Sequence, residues 1–210
     1  MKLTSENFNN EINTANKAAM QYFSNYHAWN YRHFILNTWM NSQQVPKEFK
    51  EEIITSEKLQ SDAWISAHVS DYCGYHYRHK IFDYILITKK FDDFKLVFMN
   101  ELQENKNMIL FYPGHESLWY HRRYIFNAIL NFLQTKSLKI NEDCDLNILF
   151  ETEHELVRLV SMQVIGENID RKEDKNSISA TANSSLLLNN KYSLRYSHWL
   201  FNLKKKYIFC

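Results

Sequence analysis

Asn25-Tyr26-His27-Ala28-Trp29-Asn30-Tyr31-Arg32-His33-Phe34-Ile35-Leu36 is the stretch on which the fold turns, because it returns twice without gaps. The copies are Asp71-Tyr72-Cys73-Gly74-Tyr75-His76-Tyr77-Arg78-His79-Lys80-Ile81-Phe82 and His115-Glu116-Ser117-Leu118-Trp119-Tyr120-His121-Arg122-Arg123-Tyr124-Ile125-Phe126, each of the form aromatic-x-x-Arg-x-x-Ile-apolar. Trp29 to Tyr75 is 46 residues and Tyr75 to Trp119 is 44. That leaves room for two helices and two turns per unit and is too long for a helix-pair repeat of about 34 residues.

Residues three and four apart return to one helical face. Ala28, Trp29, Arg32, Ile35, Leu36 and Trp39 therefore form one stripe. The second copy repeats it with Gly74, Tyr75, Arg78, Ile81, Phe82, Ile85 and Leu86, the third with Leu118, Trp119, Arg122, Ile125, Phe126, Ile129 and Leu130. Motif helices are predicted at about 25–40, 71–88 and 115–134. Each is preceded by a partner helix: residues 4–22 with Phe8, Ile12, Ala15, Ala19 and Tyr22 in phase, 46–59 opened by Pro46, and 91–109 closed by Pro113-Gly114. A degenerate fourth unit follows, with a helix over about 145–165 (Leu146, Leu149, Phe150, Leu156, Leu159, Val160) and a motif helix near 189–203, where Tyr192-Ser193-Leu194-Arg195 echoes aromatic-x-x-Arg. Between them, residues 170–190 are rich in Ser, Asn, Lys and Asp and predict a flexible loop. The fold expected is an all-α, right-handed α-solenoid of helical hairpins, one repeat domain over 1–210.

Composition agrees with long helices. Among 210 residues only 3 are Gly and 2 Pro, too few for the turns and phosphate loops of β-rich or α/β chains. Aromatics reach 15%, so large rings must interlock between helices. A net charge of +1 lacks the basic excess of a sequence-independent nucleic-acid binder. Cys73, Cys144 and Cys210 are odd in number and far apart, which fits a reducing compartment, and no run approaches the roughly 18 apolar residues of a membrane span. A soluble, cytoplasmic protein is expected. Cys210 is the last residue and not the fourth from the end, so the sequence as given is not expected to be a prenylation substrate of the four-residue box type.

An arginine on an apolar stripe is costly unless paired, so Arg32, Arg78 and Arg122 require carboxylate, carbonyl or aromatic partners. Glu52, Glu57, Glu101 and Glu104 are the candidates on the partner helices. For Trp29, Arg32, Tyr75, Arg78, Trp119 and Arg122 two readings stand: locking neighbouring hairpins together, which is the simpler, and direct contact with a substrate.

Asn25-Tyr26-His27-Ala28-Trp29-x-x-Arg32 resembles the repeat motif of protein prenyltransferase α subunits, and the strings 69–78 and 112–123 look most like the divergent, repeat-containing member of that family. The likeness covers about residues 11–203. What it implies is a crescent of helical hairpins around a separate β subunit that holds zinc, the prenyl diphosphate and the acceptor cysteine, with no cofactor bound by this chain. The heterodimer would join an isoprenoid, geranylgeranyl by the resemblance, to thiols of acceptor proteins ending in cysteine. Zinc would supply the thiolate. Active α subunits place a lysine and, two residues later, a tyrosine near the diphosphate; Tyr26 matches the tyrosine, and Ser24 stands in the lysine's place. Family α subunits also carry more repeats than the three clear ones here, which fits a partial chain.

Other motifs fail on spacing. His115-Glu116 begins like a zinc-protease helix, but the second histidine's position is Trp119. Cys73, His76 and His79 share a helical face and make a weak metal candidate whose counterparts in the other copies are not ligands throughout. Gly74, Gly114 and Gly166 are too dispersed for a phosphate loop. The competing reading is a helical-repeat adaptor that binds another protein without transferase activity.

Overall fold

The structure is a computed structural model that describes residues 3–88, 91–135, 146–173 and 180–208; for 91–94, 135, 164–173, 180–183 and 208 it describes backbone alone. Eight α-helices account for nearly all of these residues: α1 Ser5–Gln21, α2 Tyr26–Asn41, α3 Lys47–Ala67, α4 Tyr72–Thr88, α5 Phe91–Phe111, α6 Glu116–Thr135, α7 Leu146–Glu173 and α8 Ala180–Ile208. None is long and apolar enough to cross a membrane, among the described residues. The chain divides into two compact units, Met1–Phe94 and Lys95–Cys210.

In the first unit α1 packs on α2 and α3 on α4, and α2 lies against α4. Thr4 caps α1 by accepting from the Asn7 N–H, and Phe8, Ile12, Ala15 and Ala19 are buried. Tyr22, predicted on that stripe, lies one residue past the helix and is exposed. Asn25 caps α2 through the Ala28 N–H at 3.3 Å, and its amide nitrogen donates to Ala18 O at 2.8 Å, so one side chain ends one helix and begins the next. Pro46 takes the N-cap of α3, and that helix runs to Ala67, past the predicted 59. Phe8 meets Trp39 and Phe49 edge-on at 5.6 and 6.4 Å, which places the core between the hairpin faces.

In the second unit α7 pairs with α8, and α6 packs on α8. The hairpin of α5 and α6 is held by Asn105 Nδ2 donating to Leu118 O at 3.0 Å and by Arg122 Nη1 donating to Leu102 O at 2.9 Å. Leu118, Trp119, Ile125, Phe126, Ile129 and Leu130 are all buried, as the stripe predicts. The turn needs glycine: Gly114 has φ +89, and a Cβ there would lie 2.8 Å from Ser185 O on α8.

The predicted loop over 170–190 is corrected. Residues 170–173 continue α7 and 180–190 already belong to α8, while 174–179 lie outside the described residues. Polar composition misled here because one face of α8 still buries Leu186 and Asn189. The Tyr192–Arg195 echo is also out of register. Ser193, Tyr196 and Leu200 are buried, whereas Arg195 is exposed and lies 3.9 Å from Glu116.

Candidate functional site

Each motif arginine is buried and is held by its own hairpin. Arg32 is bonded by Asn16 of α1, Arg78 Nη1 donates to Ser61 of α3 at 3.2 Å and pairs with Asp62 at 2.5 Å, and Arg122 Nη1 donates to Asn105 of α5 at 3.1 Å. Arg32 and Arg122 also reach the following hairpin. Arg32 Nε donates to Glu57 of α3 at 2.8 Å; Arg122 Nε and Nη2 donate to Glu153 of α7 at 2.6 and 2.8 Å. The second helix of that hairpin completes a triad, because Tyr77 of α4 donates its hydroxyl to Glu57 and Tyr196 of α8 donates to Glu153 at 2.6 Å. Arg32 also lies 5.1 Å from the Tyr77 ring centroid and 5.8 Å from that of Trp29.

The two clasps differ in satisfaction. Glu153 takes a bidentate fork. In the first unit Gln60 accepts from Arg32 Nη2 at 2.8 Å, so Glu57 uses one oxygen, and its Oε1 is buried without a hydrogen-bond partner among the described residues. Burial is the first influence on Tyr77 and Tyr196, and the adjoining Glu57 and Glu153 are the second; together they push both phenols well above the ordinary tyrosine value. Both stay protonated donors. For Arg32 and Arg122 burial opposes the charge, but the carboxylate and phenol oxygens overcome it and raise the proton affinity.

The motif tryptophans make a second inter-hairpin link. Trp29 Nε1 donates to Asp71 Oδ2 at 3.2 Å and Trp64 Nε1 to the same oxygen at 2.8 Å. Asp71 Oδ1 meanwhile accepts from the Cys73 and Gly74 N–H groups at the start of α4 and from the Ser24 hydroxyl at 3.0 Å. In the second unit Trp119 Nε1 donates to Asn189 Oδ1 at 2.9 Å, and Asn189 Nδ2 donates to Ile109 O at 3.2 Å. The residue type follows from backbone context. Asp71 precedes a helix and faces only donors; Asn189 lies inside continuous α8, with a donor on one side and a carbonyl on the other.

Among the predicted partners, Glu57 is bonded to Arg32. Glu101 is buried against His121 Nε2 at 2.7 Å, and Glu52 and Glu104 are exposed. Glu153, Asp71, Asn189, Tyr77 and Tyr196 were not singled out by sequence. Tyr77 carried a signal, standing directly before Arg78 in the second motif. Tyr75 is fully buried. Tyr26, in contrast, is 61% exposed at the start of α2, edge-on to His27 at 5.8 Å. Ser24 has φ +50 and turns its hydroxyl inward to Asp71, so the lysine position of the family pattern is tied into the α4 cap. Cys73, His76 and His79 do not bring their ligand atoms together: the histidine rings are 6.5 Å apart, and Cys73 Sγ sits 3.4 Å from Ser24 O.

The model of the protein prenyltransferase alpha subunit repeat matches residues 8–39 and 98–129, the α1–α2 and α5–α6 hairpins. At family level, the chain matches the protein prenyltransferase α subunit repeat. The matched hairpins are those whose motif carries tryptophan, Trp29 and Trp119; α4 has Tyr75 in that place. Among curated relatives, protein prenyltransferase alpha subunit repeat-containing protein 1-A of Xenopus laevis is 28% identical over 60% of this chain and 35% of its own length. The repeat-containing protein 1 of Danio rerio is 27% identical over 55% of this chain and 32% of its own, and that of Homo sapiens 29% over 55% and 35%. The chain spans about a third of the length of the curated relatives it matches.

Proposed function

We propose that this chain is the α-type, non-zinc subunit of a heterodimeric protein prenyltransferase, a scaffold for a catalytic β subunit. The observation that carries the reading is the use made of the repeat motif. In the two hairpins that match the family repeat, Trp29, Arg32, Trp119 and Arg122 are buried and spend their polar atoms on their own and the following hairpin. A motif consumed in this way builds shape, and it supplies no free acid, base or nucleophile. The chemistry then belongs to the partner. Zinc and the prenyl diphosphate would reside in the β subunit, the acceptor would be a protein ending in cysteine, and the isoprenoid would be geranylgeranyl. The two units would be consecutive parts of one repeat domain working in the cytoplasm.

Tyr26 is the residue of this chain that would approach the diphosphate, since its phenol is exposed while Ser24 is engaged with Asp71. The test is co-expression with β subunits of prenyltransferases, purification of the complex and an assay of prenyl transfer to a cysteine-ended acceptor. A stable complex with activity is expected, and Tyr26→Phe should lower its turnover about tenfold or more, the order of one lost hydrogen bond to a charged group. Unchanged turnover removes Tyr26 from the proposal. Absence of both complex and activity would favour an adaptor.

A further inference from the structure

The face of a motif helix that looks toward the next hairpin is covered in α2 by α4 and in α6 by α8. On α6 that face carries Trp119, Arg122 and Phe126, and the incoming hairpin brings Glu153 to it. Tyr77 and Tyr196 fill the same place in the two triads, and this equivalence sets the register of α8. Ser193 and Leu200 are then buried where Gly74 and Ile81 are buried in α4, as the register requires. Leu194, Ser197 and Phe201 stand where α4 has Tyr75, Arg78 and Phe82, and Lys204 and Lys205 replace Ile85 and Leu86.

Among the described residues, nothing covers this face of α8. Leu194 is 58% exposed and Phe201 54%, and Leu187 continues the same strip seven residues before Leu194. Having Ser197 in the arginine's place, it has no group to form the arginine–glutamate clasp with a further hairpin of the same kind. It is also electrically one-sided. Helix α8 holds Lys191, Arg195, Lys204, Lys205 and Lys206 with no aspartate or glutamate, although the whole chain carries only +1. Lys205 Nζ lies 4.3 Å from the Phe201 ring centroid, which puts a cation beside the apolar anchor, and Glu116 is a distant neighbour of Arg195 at 3.9 Å.

We propose that the outward face of α8 docks an amphipathic helix of another protein, one whose apolar ridge seats on Leu194 and Phe201 and whose flanking carboxylates meet Lys191, Arg195 and Lys205. A helix fits because helices already cover the corresponding faces of α2 and α6. Carboxylates fit because every charged side chain of α8 itself is basic. An anionic membrane is the other taker of a basic amphipathic helix, but binding there needs a broad apolar face sunk among the lipids, and this strip is one residue wide per two turns.

The experiment uses the full chain and a fluorescent synthetic helix-forming peptide with leucines spaced by three and four and glutamates on both flanks. Binding is expected, weakening as salt is raised. Leu194→Glu with Phe201→Glu should weaken it about tenfold or more, the loss typical of a central anchor. Neutralisation of Lys191, Arg195 and Lys205 to glutamine should weaken binding and remove most of its salt dependence, and the peptide with glutamine for glutamate should fail to compete. All substituted positions are exposed, so far-ultraviolet circular dichroism should be unchanged in each variant. No binding of the glutamate peptide, or binding indifferent to these changes, overturns the proposal. So does association with phosphatidylserine vesicles in place of the peptide.

Discussion

At the scale of residues, the arginine–glutamate–tyrosine triads account for an otherwise expensive arrangement. Arg122 and Glu153 are each about 1% exposed, and removing one partner strands a buried charge. Glu153→Ala is therefore expected to cost about 3–5 kcal/mol, measured by urea unfolding. Replacing the pair together by leucine and methionine should cost much less, because a buried pair adds little beyond well-packed apolar groups of its size. Tyr77 gives a second prediction, of opposite pH sense to a carboxylate. Its folded proton affinity is raised, first by burial and then by Glu57, so the folded state retains a proton that the unfolded chain gives up near pH 10. The stabilisation is complete below about pH 10 and is lost as pH rises toward the folded value. Tyr77→Phe should flatten that alkaline fall in the urea midpoint, and a fall as steep as that of the unaltered chain would contradict the assignment.

At the scale of elements, the helix ends decide which polar residue each hairpin uses. Asp71 caps α4 and accepts two indoles, whereas Asn189, inside α8, accepts Trp119 and donates to the last turn of α5. Asn189→Asp should cost about 1–3 kcal/mol, since a carboxyl group would face the Ile109 carbonyl with no donor, or would have to be protonated to supply one. Its destabilisation should shrink in acid. The Asp71→Asn change meets donors alone and leaves no such acid recovery. The element scale also explains the degenerate fourth unit: α8 starts well before the position at which Asn25 and Asp71 begin their helices, so its buried stripe is set by Tyr196 and not by the Tyr192–Arg195 echo.

At the scale of the whole molecule, each unit holds histidines that resist protonation. In the first unit His33 and His76 are held below the ordinary value, chiefly by burial and next by Lys80, with Asp83 opposing; in the second, burial lowers His115. An unfolded chain protonates these groups near pH 6.5, so it binds more protons than the folded one below that pH. The stability they confer is present above about 6.5 and is lost as pH falls through the folded values. The urea midpoint should decline between about pH 7 and 5.5, before the carboxylates titrate, and His33→Asn with His76→Gln should reduce the decline. A midpoint constant over that range would contradict it.

Helix type, hairpin order and the three motif registers were legible in the sequence because they are local: apolar residues three and four apart define a helical face whatever packs on it. The family likeness was legible for the same reason, resting on short strings around Tyr26, Tyr72 and Trp119. Glu57 stood among the candidate partners, but which residue each arginine and tryptophan bonds to was not legible. Glu57 lies 25 residues from Arg32 but Glu153 31 from Arg122, and Asn189 is 70 from Trp119, so no fixed spacing marks a partner. A polar run such as 180–190 can still be helix when one of its faces finds a neighbour, as it does at Leu186 and Asn189. Periodicity determined the elements of this protein; only tertiary packing decided which buried charge meets which.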